Sequence, residues 1–365
     1  MTQKRFLSIA LVVILVLVMG LLVLYLQLQK PITTVGADMP TGLDFQFQLF
    51  GPSTQDRFSQ PSDVAMDVDG NIYVTDTLKD RVVVFDPKGK FVRTFPTGVK
   101  RPLGIDVDAA GTVYVASKRS DAVVAYDRKG KVIRQYAVFA PLNVTEERGR
   151  IYITTMGPIV SFDAKTGTDR KIIGWQGRGK DDFAWPQGID SRDGKLFVAD
   201  SNNLRLKVLK TDGTIEWVYG KPSTEAAYVP AQGRMFGIPS GIALDEQGNM
   251  LVVDAFRDRI YAFSSKHKEI ASWGGTRGDA EGQFDHPSGI AYGGAGKLLV
   301  ADKFNDRVQV FRVSIPGNTQ AQRFNLNRLI CLVPLLLLLI AIVVYVVRRL
   351  SARRAEQANA EANEG

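Results

Sequence analysis

Across residues 44–312, short apolar runs alternate with turn residues, and one arrangement of them recurs. Its clearest copy reads Pro287-Ser-Gly-Ile-Ala-Tyr292, then Gly296-Lys-Leu-Leu-Val-Ala-Asp302, then Asn305-Asp-Arg-Val-Gln-Val-Phe311. β-Branched and aromatic runs of this length, bounded by Gly, Asn and Asp, predict three strands joined by tight turns. Prolines anchor the copies at Pro61, Pro102, Pro141, Pro186, Pro239 and Pro287, 39 to 53 residues apart, which is the period of propeller blades. Each anchor leads to a hairpin glycine: Gly70, Gly111, Gly149, Gly194, Gly248 or Gly296. Glycine suits the positive φ that such hairpins need.

The third strand ends on Phe85, Tyr126, Phe162, Leu209, Phe263 or Phe311, and the first five copies add a second hairpin and a fourth strand. No helical period is sustained between 44 and 312. The chain therefore reads as all-β, a six-bladed β-propeller. The sixth copy lacks its own fourth strand, and the alternating segment Phe45-Gln-Phe-Gln-Leu-Phe50 supplies it. The ring closes inside that blade, which removes an exposed sheet edge. Both ends of the propeller then leave from the face that carries the glycine hairpins. The opposite face is made by the second-to-third-strand turns and the connections between blades.

Two apolar segments flank this domain. Residues 6–25 carry no charge across 20 positions and 329–347 carry none across 19. Each is about as long as a helix that crosses a hydrocarbon core of roughly 30 Å. The first exceeds the h-region of a cleavable signal and reads as an uncleaved anchor. Lys4 and Arg5 precede the first span, and Arg348, Arg349, Arg353 and Arg354 follow the second. The positive-inside rule places both termini in the cytoplasm. The expected organisation is a cytoplasmic 1–5, a span at 6–28, a linker at 29–43 and the propeller at 44–312. A linker at 313–328, a span at 329–347 and a cytoplasmic tail at 348–365 complete it.

The net charge of +8 is spread thinly: residues 1–30 hold +3, 329–365 hold +1, and the remaining +4 is distributed over the propeller region. A nucleic-acid-binding face would concentrate a basic stripe, so nucleic acid is excluded as a partner. The single cysteine, Cys331, lies in the second apolar segment, so the propeller has no disulfide.

Four carboxylate–arginine pairs recur at equivalent positions: Asp76/Arg81, Asp200/Arg205, Asp254/Arg259 and Asp302/Arg307. Recurrence marks a structural device, an arginine tied to a carboxylate that pins each blade's turn. Ser117 and Thr155 replace the aspartate in the second and third copies, and Ala122 replaces the second arginine. Apolar residues sit where turns are usually polar: Leu78, Leu204, Phe256 and Phe304. The connections between blades add Trp175, Trp185, Tyr228, Met235 and Phe236, near Arg178, Arg234, Arg257 and Arg277. Aromatics interleaved with arginine resemble interface hot spots, so this face is the expected binding face. Leu78, Trp185, Tyr228, Arg234, Phe236, Phe256, Arg257 and Phe304 are its candidate residues. Asp67-Val-Asp69-Gly70-Asn71 imitates a calcium loop but has Leu78 at the twelfth position, and it reads as hairpin chemistry. Gly174-Trp-Gln-Gly-Arg-Gly179 matches Trp273-Gly-Gly-Thr-Arg-Gly278 and belongs to the repeat.

Gly282-Gln-Phe-Asp-His-Pro287, with the Pro-Ser-Gly-Ile, Val-Ala-Asp and Asn-Asp-Arg-Val-Gln-Val-Phe phrases that follow, resembles the NHL-repeat β-propellers. The resemblance covers about 44–312, and the copies at Pro102 and Pro141 are degenerate. It implies a platform that binds proteins, or in some members RNA, with lyases and lactonases among its relatives. Those lyases hold a channel metal with several histidines, whereas this chain has two, His267 and His286. No Ser-His-Asp or Cys-His set can be assembled. The expectation is a membrane-tethered extracytoplasmic scaffold for a protein or ligand, with no catalytic residues, no metal site and no cofactor. The alternative is a hydrolase or lyase using a divalent cation in the central channel.

Overall fold

The computed structural model describes residues 42–95, 98–220 and 236–315, together with 348, 349 and 352. The two apolar segments lie outside these residues; among the described residues no helix is long and apolar enough to cross a membrane.

The described residues between 42 and 315 form six four-stranded antiparallel sheets. The innermost strands are Pro61–Met66, Pro102–Val107, Asn143–Glu147, Gly188–Arg192, Pro239–Leu244 and Pro287–Tyr292, which define blades 1 to 6. Each packs against the inner strand of the next blade, and the sixth packs against the first. The fourth strand of blade 6 is Gly42–Leu49, paired antiparallel with Arg307–Ser314 from Gly42 opposite Ser314 to Leu49 opposite Val308. The ring is thus closed by the first strand of the domain, and both of its ends leave from the glycine-hairpin side.

Alternation along the second strands explains why blades stack. In blade 1, Ile72 and Val74 pack with Leu299, Val308 and Val310 of blade 6, while Tyr73 between them packs with Ile105, Val113 and Val115 of blade 2. Both faces of a blade are buried, so every position of Ile72–Asp76 is buried. Each large side chain fully buried in this way stabilises the stack by about 1.5–3 kcal/mol.

Around the axis the inner strands approach so closely that most blades need glycine two residues after the anchor. A Cβ on Gly188 would stand 2.6 Å from Ser240 O, and one on Gly241 would stand 2.7 Å from Ser288 O. Blades 1 and 3 carry Asp63 and Asn143 there instead. Gly289 and Gly104 in the preceding blades make room for them, since a Cβ on either would come within 2.5 Å of their Cα atoms.

Candidate functional site

The inner strands all start on the side of the second-to-third-strand turns. The residue before each anchor proline therefore rims the channel mouth on that side: Gln60, Arg101, Ala140, Trp185, Ile238 and His286. All but Ile238 adopt left-handed backbone, with φ between 46° and 56°. Residues before proline are normally extended, and left-handed non-glycine residues are strained. Hydrogen bonds across the blade boundaries hold the rim in place. Asp306, Asp80, Asp121 and Asp258, each closing the preceding blade's turn, accept the N–H of Gln60 (2.7 Å), Arg101 (2.6 Å), Ala140 (2.9 Å) and His286 (2.9 Å). Trp185 donates its N–H to Met156 O at 3.0 Å. The backbone of the rim is nearly uniform, whereas its side chains differ from blade to blade.

Below the rim lies a channel cavity of about 120 Å³, lined among others by Asp63, Asp106, Asn143 and Asp190. Each carboxylate ties its own blade to the next one. Asp63 accepts N–H from Val64 (2.9 Å) and Ile105 (3.1 Å), Asp106 from Val107 (2.8 Å) and Glu146 (2.8 Å), and Asp190 from Ser191 (2.7 Å) and Leu244 (2.8 Å). Burial pushes the Asp63 and Asp190 carboxyls up to about 7 and that of Asp106 to about 6, against the lowering effect of these donors. The negative charge of Asp106 adds to the rise at both neighbours.

The turn-side surface carries exposed apolar groups: Leu78 at 50%, Phe256 at 50%, Phe304 at 49% and Trp175 at 71%. The His286 ring stands between Phe304 (4.5 Å between centroids) and Phe256 (5.7 Å), and its Nδ1 lies 2.7 Å from Asp285 Oδ1. Phe304 also borders a groove of about 660 Å³ lined by Phe50, Arg57, Asn305 and Asp306.

The model of the NHL repeat matches residues 58–85, the first three strands of blade 1 and the lead-in to them. Residues 58–85 thus carry an NHL repeat within a six-bladed β-propeller. It is 25% identical over 251 residues to peptidyl-glycine alpha-amidating monooxygenase B of Xenopus laevis, a match covering 65% of this chain and 24% of that protein. The chain thus spans about a quarter of the length of that curated relative. Among solved structures, a protein of unknown function from Bacteroides thetaiotaomicron superposes with a TM-score of 0.61 at 17% identity, over 75% of this chain and 77% of that one. A gluconolactonase of Xanthomonas campestris gives 0.55 at 13% identity, over 76% and 99%. These likenesses show the fold.

In this propeller, three of the four recurring pairs are ion pairs. Arg81, Arg205 and Arg307 each place Nε 2.7 Å from Asp76, Asp200 and Asp302. The same carboxylates cap the lead-in to their own blade, accepting N–H from Ser59 (2.7 Å), Ala184 (2.8 Å) and Asp285 (2.8 Å). The fourth pair departs from expectation. Asp254 takes backbone donors from Gly237 (2.6 Å) and Ile238 (2.9 Å), and it forms no ion pair with Arg259, its partner in strand register. The position in blade 3 also needs correction: Thr154 opposite Ile159, not Thr155, is equivalent to Asp76 opposite Arg81.

Among the binding-face candidates, Leu78, Phe256 and Phe304 are exposed and Trp185 is half-buried with Lys118 Nζ 4.9 Å over its ring. Arg257 lies beside Asp254 and Tyr261, with its N–H 3.2 Å from Asp254 Oδ1. Tyr228 and Arg234 lie outside the described residues. Phe236 is not part of the face: it is 2% exposed and packs edge-on against Tyr261 (5.3 Å) and Tyr219 (6.0 Å). It belongs to the core cluster between blades 4 and 5, with Phe197, Tyr261 and Phe263. The calcium-like loop is hairpin chemistry, with Asp67 accepting Asp69 N–H (3.0 Å), Asn71 N–H (2.8 Å) and the Tyr73 hydroxyl (3.0 Å). The matching Gly-rich segments form equivalent bridges, Gln176 with Phe183 and Arg277 with Phe284.

The channel residues and the rim escaped sequence reasoning, although a signal existed. Asp63 and Asn143 replace the glycine of Pro-x-Gly-Ile, and Asp106 and Asp190 stand where other copies have Ala65, Thr145, Ala243 or Ala291. Departures from the repeat, rather than the repeat itself, marked the axis.

Proposed function

We propose that this protein is a membrane-tethered, extracytoplasmic propeller that binds a protein or ligand through its turn-side face. The observation that carries the reading is the exposure of Phe256 and Phe304 on either side of His286. Half-exposed aromatic rings on rigid turns cost solvation unless a partner covers them, and such rings anchor interfaces. The tether is supported by the apolar segments 6–28 and 329–347 with their flanking basic residues. Gly42 opposite Ser314 keeps both chain exits off the turn side, which leaves that face open to a partner.

A divalent-metal hydrolase or lyase has less support. The channel carboxylates each point their oxygens at backbone donors. Among the described residues, the group of His, Cys, Asp and Glu close enough to share a metal is Asp258, Asp285 and His286 on the turn side. Arg277 Nε stands 3.0 Å from Asp258 and 3.5 Å from Asp285, so a guanidinium already sits beside both carboxylates. The binding reading needs no cofactor and no nucleic acid. A photo-crosslinking residue at Phe304, in the full chain in membranes, should yield a discrete adduct, and one at Val68 on the hairpin side should not. Adducts at Val68 with none at Phe304 would reverse the choice of face.

A further inference from the structure

The hairpins between third and fourth strands lie on the same side as the glycine hairpins, at the outer edge of the ring. In blade 1 this outer hairpin reads Asp86-Pro-Lys-Gly-Lys90 and runs into Phe91–Thr94. In blade 2 it reads Asp127-Arg-Lys-Gly-Lys131 and runs into Val132–Ala137. In blade 3, residues 163–170 lead into Lys171–Ile173. The fold sets the three side by side. Arg93 of blade 1 donates to Arg128 O in the hairpin of blade 2, and Arg134 of blade 2 donates to Thr166 O in that of blade 3 at 2.8 Å. At the other end, a Cβ on Gly89 would stand 2.7 Å from the Phe47 ring, so the hairpin of blade 1 lies on the strand Gly42–Leu49. By that strand the chain enters the domain, and it leaves by the strand paired with it.

Cations and apolar groups are interleaved along this outer rim. Lys88, Lys90, Lys129 and Lys131 are exposed, and among the described residues their ammonium groups form no ion pair. Asp86 and Asp127 remain anionic while each accepts two backbone N–H groups of its own hairpin at 2.9 Å. Lys88, Lys90 and Arg93 still outnumber Asp86, and four cations of blade 2 outnumber Asp127. Of those four, Arg128 is paired with the exposed Asp69 at 2.8 Å. The other acids of the neighbouring glycine hairpins, Asp67, Asp108, Glu146 and Glu147, are buried or half-buried. Beside the cations, Phe91, Val92, Val132, Ile133 and Ile172 are exposed. Blades 4 and 5 differ: the fourth-strand residues Ile215, Trp217, Ile270 and Trp273 are half-buried, and Glu216 is paired with Lys195 at 2.7 Å. Lysines that merely guard a sheet edge would be needed in every blade, so edge protection does not account for a patch confined to three.

We infer that the outer hairpins of blades 1 to 3 are a contact surface for an anionic lipid bilayer, with the lysines among the head groups and Phe91, Val132 and Ile133 at the acyl boundary. Exposed apolar side chains flanked by lysine and arginine are the composition of segments that lie in a membrane interface. Basic groups are drawn to an anionic leaflet over about a Debye length, and lysine stems rest on apolar surface while the ammonium stays wet. The ends of the domain favour lipid over another polyanion. Both leave from this side, and residues 29–41 and 315–328 separate them from the apolar segments, a reach of at most about 50 Å. A nucleic acid would use the cations, but Val92, Val132 and Ile133 offer its bases no aromatic platform. Charge that is thin along the sequence is thus gathered by the fold where lipid is nearest. The inference rests on the membrane tether proposed above and adds the surface by which the propeller meets the bilayer.

The test places a nitroxide on the full chain at Ile133→Cys, with Cys331→Ser, in nanodiscs of phosphatidylcholine with or without phosphatidylglycerol. In the anionic discs the label should be shielded from a water-soluble nickel complex at least fivefold better than the same label at Lys266→Cys, on the outer hairpin of blade 5. Shielding should vanish in discs of phosphatidylcholine alone and in high salt. Lys129→Glu with Lys131→Glu should abolish it while leaving the melting midpoint unchanged, because neither ammonium is paired. Equal nickel access at positions 133 and 266 in anionic discs would overturn the surface, as would shielding that survives both neutral lipid and the double variant. A DNA duplex that shields position 133 in detergent better than the anionic discs do would assign the rim to another polyanion and overturn it too. Alkaline carbonate extraction of membranes reads the tether separately. A chain that washes off would overturn the tether, and position 133 would still report on anionic discs added to the purified protein.

Discussion

Asn143 donates from Nδ2 to Oδ2 of Asp63 across 3.1 Å, joining blade 3 to blade 1 past Gly104 of blade 2. The same amide nitrogen donates to Gln187 O of blade 4 at 3.1 Å. One side chain thus links three blades at the axis. Asn143 also opens the sequon Asn143-Val-Thr145, and its engagement at the axis makes it a structural residue.

Asn143→Ala should lower stability by about 1–3 kcal/mol, the cost of leaving buried acceptors unpaired. Gly104→Ala should cost more, because its Cβ would stand 2.4 Å from the Asn143 Cα. Gly149→Asn is the control: that hairpin glycine has positive φ but nothing within 4 Å, and asparagine tolerates the conformation. Chemical denaturation of the three variants checks the order.

Stability should fall as pH rises through neutrality. The Asp63, Asp106 and Asp190 carboxyls are raised from 3.8 to about 7, 6 and 7. A folded-state pKa above the unfolded value means that the fold holds protons which the unfolded chain releases. Their stabilising contribution is therefore complete below about pH 4 and is lost as pH rises through about 6–7. Asp56, lowered chiefly by its hydrogen bond from Arg81, and Asp80, lowered chiefly by the Arg101 N–H, work the other way, below about pH 4. The melting midpoint should be higher at pH 5 than at pH 8, and Asp190→Ala should flatten that slope. A midpoint that climbs from pH 5 to 8 would contradict the assignment.

The recurring arginines should not be equivalent. Arg307→Met strips the buried Asp302 of its ion pair and leaves the Asp279 carbonyl without its donor, while the Ala280 and Gln283 carbonyls keep the Gln283 N–H and Gln309 Nε2. Breaking a buried pair in this way costs about 3–5 kcal/mol. Arg259→Met, whose partner Asp254 is satisfied by backbone donors, should cost well under half of that. Equal losses would mean that the departure in blade 5 has no energetic meaning.

The sequence was most legible where the fold repeats. Six proline anchors, hairpin glycines and alternating strands specified six blades, and the lone segment at Phe45 specified how the ring closes, because every copy restates the same local requirement. It was least legible where side chains from different copies converge. Phe236 looks like a surface aromatic in its loop, and its burial depends on packing against Tyr219 of blade 4 and Tyr261 of blade 5. The links from Asp63 to Ile105 and Asn143 span blades, and their trace in the sequence is the replacement of the repeat glycine at Asp63 and Asn143, which does not reveal the partners. The lysines of the outer hairpins in blades 1 to 3 were visible as residues, but only the contacts between those hairpins show that they share one rim.

Closure predicts that removing Gly42–Leu49 uncovers the whole of Arg307–Ser314 as an open edge. The truncated chain should lose cooperative unfolding and aggregate, as seen by light scattering. A truncation ending before residue 42 should leave the melting transition of the propeller intact.

The account rests on the turn side being the binding face, and co-purification from membranes with the full chain tests it most directly. Phe256→Ala combined with Phe304→Ala should release the retained partner, while Val68→Ala on the hairpin side, where Val68 is 70% exposed, should keep it. A partner that stays bound to the double variant and leaves on Val68→Ala would contradict the account.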